Sequence, residues 1–194
     1  GAVKFAEPDA LIPHAIIPND SLYSQQWHHA TINSPVAWEN ITGPNDLNAI
    51  KVCVLDTGVD TDHPDLIDNL LLPGYNARLK VIGNVEDVHG HGTYTSGVVG
   101  ATGDNGIGVS GMVWNVNIIP VQINISNTDS SAFISDMATG IRWCADQGVK
   151  VTNLSYGGAQ YGTIDSAAQY LRSKGGLHFM SAGNGGTYND TNTF

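Results

Sequence analysis

The 194 residues are 41% apolar, 13% charged and 8% aromatic, which fits one compact domain with a sizeable core and excludes a disordered or fibrous chain. Eight Lys and Arg against eighteen Asp and Glu give a formal net charge of −10, which repels phosphate backbones and anionic headgroups, so no nucleic acid partner is expected. The longest uncharged stretch, residues 105–128, contains Asn115, Asn117, Pro120, Gln122 and Asn124, too many polar interruptions to cross a hydrocarbon core, so no membrane is expected either.

The first 25 residues, with Pro8, Pro13 and Pro18 and no clean periodicity, read as an extended arm laid over a domain that runs from 26 to 194. No basic segment followed by an apolar one precedes Gly1, so an export signal is expected to be absent or already removed. Ser34 as a cap, with Pro35 at the first helical position, predicts a short helix through Trp38. Residues 50–55 are apolar and rich in β-branched side chains, and predict a buried strand that stops at Asp56-Thr57-Gly58. A helix is expected over 93–99, after Gly92, and a strand over 116–123. From 131 to 147 the apolar residues Phe133, Ile134, Met137, Ala138, Ile141 and Ala145 recur at spacings of three and four, and Gly148 ends this helix as a C-cap does. A strand over 149–154, a helix over 164–174 stopped by Gly175-Gly176, and a strand over 177–182 complete the pattern.

Alternating strands and helices with short connections imply right-handed crossovers and an α/β fold, a mainly parallel sheet flanked by helices on both faces. Ligands of such sheets bind beyond the carboxyl ends of the strands, where the sequence places Asp56, Ser155-Tyr156-Gly157-Gly158 and Ser181-Ala182-Gly183-Asn184. The two cysteines, Cys53 and Cys144, are too few for a disulfide framework and wrongly spaced for zinc; a bridge and two buried thiols both remain open.

Asp56 follows the apolar run Val52-Cys53-Val54-Leu55, so its carboxylate needs a hydrogen-bond donor to be tolerated there. His91 is the candidate, because Gly90 and Gly92 on either side let the backbone turn tightly into a helix. An imidazole held by a buried carboxylate keeps one tautomer and works as a general base near neutral pH. His89 and His91 have no third ligand of suitable spacing, so no metal is expected between them, and His28 and His29 are expected at the surface.

The segments Val54-Leu55-Asp56-Thr57-Gly58-Val59-Asp60, His63-Pro64-Asp65-Leu66, His91-Gly92-Thr93, Asn153-Leu154-Ser155-Tyr156-Gly157-Gly158 and Ser181-Ala182-Gly183-Asn184, in that order, resemble the motifs of the subtilisin-like serine proteases. The resemblance runs from about Pro18 to Asn184 and implies peptide-bond hydrolysis through an Asp-His-Ser triad. It makes Asp56 the acid that orients the imidazole, His91 the general base and acid, and the side-chain amide of Asn184 the oxyanion donor. Ser155, Tyr156 and Gly157 are then one wall of the primary specificity pocket and Ala182 and Gly183 the other, with a polypeptide substrate or inhibitor pairing as an added strand. Ser131, in Ser130-Ser131-Ala132, stands where the family's substrate-binding edge has Gly-Ser-Gly; Tyr94 replaces a frequent second histidine and Tyr156 a leucine. The loop from Thr102 to Val109 is similar to the family's calcium loop, which implies a structural calcium held by Thr102, Asn105, Ile107 and Val109 with Asp65 and Asp20; a capped glycine-rich turn is the plainer reading.

The Gly-Thr-Ser-Met-Ala type of segment that bears the family's nucleophile is not among the 194 residues. The expectation is a complementary C-terminal fragment of the same protease, bound non-covalently after self-cleavage at Phe194, since a parallel sheet without it leaves an apolar face open. An extracellular setting follows from the family. Two other readings are an inactive peptide-binding fragment or pseudoprotease and an aspartic protease built on Asp56-Thr57-Gly58. The second leaves the helical periodicity of 131–147 and the His91 motif unexplained.

Overall fold

The structure is a computed structural model that describes residues 15–43, 50–158 and 160–184. Its centre is a six-stranded sheet in the order β3-β2-β4-β1-β7-β8. The strands are β1 (Lys51–Asp56), β2 (Tyr75–Asn76), β3 (Val81–Ile82), β4 (Asn117–Gln122), β7 (Val151–Leu154) and β8 (Leu177–Met180). All neighbours run parallel except β2 and β3, which form an antiparallel edge. A separate hairpin pairs β5 (Asn124–Ser126) with β6 (Asp129–Ala132). The helices are α1 (Trp27–Thr31), α2 (Ser34–Trp38), α3 (His91–Gly100), α4 (Ile134–Asp146) and α5 (Gly162–Ser173).

Strand β1 lies mid-sheet and is covered on both faces, which is why it reads as a continuous apolar run rather than an alternation. Its side chains still alternate: Cys53 and Leu55 join a core with Met137, Ile141, Ile164 and Leu171 of α4 and α5, while Val52 and Val54 join Leu66, Val116 and Ile118 beside α3. Burying one Leu55-sized side chain contributes about 1.5–3 kcal/mol, so the two cores fix the register that brings Asp56 to the sheet edge. A disulfide joins Cys53 to Cys144, tying β1 to α4. The open question of bridge against thiols is thereby settled for the bridge.

Helix α4 ends as the sequence reading expects: Gly148 has φ +73°, its N–H bonds to Ala145 O at 3.1 Å, and Val149 N–H reaches back to Cys144 O at 3.2 Å. Its start differs. Residues 129–132 are a strand, and the helix begins only after Phe133, whose extended backbone (ψ 142°) breaks the turn. Helix α3 takes in His91 itself, two residues earlier than expected, and β8 stops at Met180 rather than 182. The cap of α2 is Asn33, with a left-handed backbone, and Ser34 lies inside the helix.

His29 corrects another expectation. It is completely buried, not at the surface, and donates through Nε2 to Ser110 O at 3.0 Å while Nδ1 shares a hydrogen bond with Ser34 Oγ at 3.1 Å. A ring satisfied at both nitrogens is tolerated in a core. Of the expected arm, only the part from residue 15 is described; it carries a 3₁₀ turn at Tyr23–Gln25 and buries Asp20 against the loop after α3.

The face of the sheet shared by Val52 and Val151 opens beyond α3 into an apolar hollow of about 430 Å³. Trp38, Val98, Val151 and Phe179 line it, and Leu177 and Phe179 on edge strand β8 are 58% and 53% exposed.

Candidate active site

The parallel strands deliver three turns to one edge of the sheet, after β1, β7 and β8. Asp56 closes β1 and is fully buried. Its Oδ1 accepts from Thr57 N–H at 2.8 Å and from His91 Nδ1 at 2.7 Å, and its Oδ2 accepts from Thr95 Oγ1 at 3.2 Å. The imidazole is the first side chain of α3, where the backbone must pass very close to the loop after β1: a Cβ at Gly92 would drive into the Gly58 carbonyl oxygen. Gly58 itself has φ +115°, and a side chain there would strike Val85 O. These two glycines allow the 2.7 Å contact between residues 35 apart in sequence.

With Nδ1–H given to a carboxylate, the hydrogen of a neutral His91 is on that nitrogen and Nε2 is left with a lone pair. The side chain is 43% exposed, so this nitrogen can meet a reactant. Tyr156, in the turn after β7, stands edge-on to the imidazole with ring centroids 6.4 Å apart. Its hydroxyl donates to Ser130 O at 2.6 Å and so draws the β5–β6 hairpin, with Ser131, to the mouth of the site. Burial, and then the negative charges of Asp56, Asp87 and Asp129, push the phenol of Tyr156 well above its usual range, which keeps it a donor.

Ser155, Tyr156 and Gly157 follow β7, and Ala182, Gly183 and Asn184 follow its neighbour β8, so the two turns lie side by side. Ser181 joins them, with its N–H on Leu154 O at 3.2 Å and its Oγ on Tyr156 O at 3.1 Å. Asn184 is exposed on this edge. Sequence reasoning missed Thr95 and Thr57 as partners of the acid and of the histidine turn. Thr95 lies one helical turn after His91 on the same face, and that spacing was the available signal.

The loop after α3 gathers the residues expected around calcium. Asp65 and Asp20 are 1% and 5% exposed. Asp65 accepts from Asn105 Nδ2 at 2.9 Å and Val109 N–H at 2.8 Å, and Thr102 N–H bonds to Asp65 O at 3.0 Å. Asp20 accepts from Asp104 N–H at 2.8 Å, Asn105 N–H at 3.3 Å and Ser110 Oγ at 2.7 Å, and Asn105 Oδ1 accepts from Ile107 N–H at 2.7 Å. Two buried carboxylates meet around Asn105 with only neutral donors on them, a hard-oxygen set whose charge suits a divalent cation. Among the described residues no three His, Cys, Asp or Glu groups cluster, so backbone and amide oxygens would have to supply the rest of any cage.

Comparison with known proteins follows the same residues. The model of the subtilase family matches residues 48–193. A thermophilic serine proteinase from Bacillus sp. (strain AK1) is 34% identical over 187 residues, covering 95% of this chain and 45% of that protein. Thermitase from Thermoactinomyces vulgaris is 32% identical over 180 residues, covering 87% and 58%. Among solved structures, a protease of Pseudoalteromonas arctica superposes with a TM-score of 0.71 at 29% identity, covering 86% of this chain and 59% of that one. The chain spans about half the length of the curated relatives it matches.

Proposed function

The chain belongs to the subtilase family of serine proteases, and on that premise we propose that it supplies the acid, the base and the oxyanion donor of an endopeptidase whose attacking serine lies outside these 194 residues. The observation that carries the reading is the 2.7 Å contact between His91 Nδ1 and the buried Asp56 carboxylate. It fixes the tautomer in which Nε2 takes the proton of a serine hydroxyl as that oxygen attacks the scissile carbonyl. The imidazolium so formed faces a full negative charge on Asp56, then returns the proton to the leaving amine. The amide of Asn184 donates to the carbonyl oxygen as it gains charge. Ser155, Tyr156 and Gly157 with Ala182 and Gly183 flank the side chain before the cut, and Ser131 offers the hairpin edge to an extended substrate.

The apolar hollow and exposed β8 support a second polypeptide, the complementary C-terminal fragment, seated on this face and bringing the serine. Calcium in the loop of Asp65, Asp20, Thr102, Asn105, Ile107 and Val109 belongs to the same proposal, as a structural ion that neutralises two buried acids. So does an extracellular setting, favoured by the Cys53–Cys144 disulfide, since such bonds persist in oxidising compartments. Labelling the purified protein and every polypeptide that accompanies it with a fluorophosphonate, followed by peptide mass analysis and a peptidase assay, tests the central claim. The expected label is on a serine outside these residues; a label on a serine within them, or activity without any label, overturns it, and groove binding with neither activity nor label makes this a peptide-binding pseudoprotease.

A further inference from the structure

Four residues before His91, Asp87 places one carboxylate under five donors. Its Oδ1 accepts from Thr57 Oγ1 at 2.9 Å, His89 N–H at 3.0 Å and Gly90 N–H at 2.8 Å. Its Oδ2 accepts from Thr93 N–H at 2.9 Å and Thr93 Oγ1 at 2.7 Å. The donors come from both sides of His91 and from the residue next to Asp56. Two further bonds complete the circuit: Gly92 N–H donates to Thr57 Oγ1 and Asp60 N–H to Thr93 Oγ1, both at 2.9 Å.

We propose that Asp87 is a positioning residue for catalysis, a tie that holds the first turn of α3 against the end of β1 so that His91 stays in register with Asp56. The proposal rests on the protease reading. The histidine's backbone is bracketed by residues that all bond to this one carboxylate or to its threonine partner, whereas these five bonds reach neither the His91 ring nor Tyr156. Thr93 N–H is one of the unpaired donors at the start of the ten-residue α3, so a negative charge there also complements the positive end of that helix. Burial alone would push this carboxyl up, but bonds from Gly90, Thr93 and Thr57 hold it below the ordinary carboxylate range, so it stays charged through the working pH. An asparagine cannot replace it, because its NH₂ would confront groups that are already donors.

The test uses the active protease with its serine present. Active sites are counted with a fluorophosphonate, and kcat is expressed per labelled site for Asp87→Asn and for Asp165→Asn, an equal loss of charge in the first turn of α5. Displacement of a catalytic group by about 1 Å costs on the order of 100-fold, so D87N is expected to lower kcat per site by about 10- to 100-fold with KM changed by less than about threefold. D165N is expected to match the parent. A role confined to stability would reduce the number of labelled sites or the Tm and leave kcat per site intact, and that outcome overturns the proposal. Should D87N fail to fold, Thr57→Val removes the tie between Asp87 and the end of β1 together with the acceptor of Gly92 N–H, and Thr57→Ser restores the hydroxyl: a fall in kcat per site in T57V that T57S rescues supports the proposal, and an unchanged value in T57V overturns it. A parent protein that takes no label at all overturns the protease reading instead.

Discussion

Replacing Asp56 by asparagine separates the charge of the proposed triad acid from its geometry. Thr57 N–H points at Oδ1, and an N–H can only be met by an acceptor, so the amide oxygen must take that place and the new NH₂ must face Thr95. Thr95 Oγ1 can turn its hydrogen to His91 O at 3.1 Å or Gly92 O at 3.0 Å, which leaves a lone pair for that NH₂. His91 Nδ1–H therefore keeps its acceptor. The loss is the attraction between a carboxylate and the imidazolium that forms when His91 takes the proton. Two unit charges about 4 Å apart attract by about 4 kcal/mol at an effective permittivity of about 20. Solvent reduces that figure, because the His91 side chain is 43% exposed. D56N is thus expected to lower kcat by about 100- to 1000-fold with KM nearly unchanged, read by kinetics on active-site-titrated enzyme. A flipped amide would force the wrong tautomer, for which a loss of about 10,000-fold is the known scale. A fall of that size, or one below about tenfold, refutes the reasoning.

Asn184→Ala should lower kcat by about 100- to 1000-fold with little change in KM, the scale known for this type of donor in subtilisin rather than one worked from this site. An unchanged kcat would remove Asn184 from the oxyanion hole. Chelation should lower the Tm and speed autolysis; identical melting with and without chelator counts against calcium between Asp65 and Asp20. Burial holds His178 below its ordinary value, so its stabilising contribution is complete above an unfolded pKa of about 6.5 and is lost as the pH falls toward the folded value. Melting at pH 7.5 and pH 5 should show that loss, and His178→Leu should flatten part of the slope; an equal slope in both proteins argues that His178 does not titrate on unfolding.

Strands β1, β4 and β7 and helices α4 and α5 were legible because each must present apolar side chains to a core, and β-branched runs or three-and-four spacing are how a chain does so. Strands β2, β3, β5 and β6 carry no such pattern. They are two to four residues long, too short to show a period, and all but β3 (Val81–Ile82) carry Asn, Ser or Asp; they take their form from neighbours already in place, as Asn76 does in bonding to Gln122 Oε1 at 2.6 Å. The same contrast runs through the site. Asp56 and His91 announce themselves by their neighbours, a buried strand and paired glycines. Asp87 looks like an ordinary turn residue, since an Asx turn onto Gly90 needs no more than a carboxylate two or three residues upstream. Only the fold, by adding Thr57 and Thr93 to that turn, makes it a junction.

The covalent link between β1 and α4 closes a stretch of chain 91 residues long that contains both Asp56 and His91. A single nick anywhere inside it, for instance at the exposed Asn127 or near Ile82, yields two pieces that migrate as one species until a reductant is added. Even a nick between positions 56 and 91, which puts the two residues on different peptides, cannot let those peptides diffuse apart. Proteolytic wear inside this loop is therefore recorded as silent breaks in the backbone, visible on a reducing gel before any piece is lost.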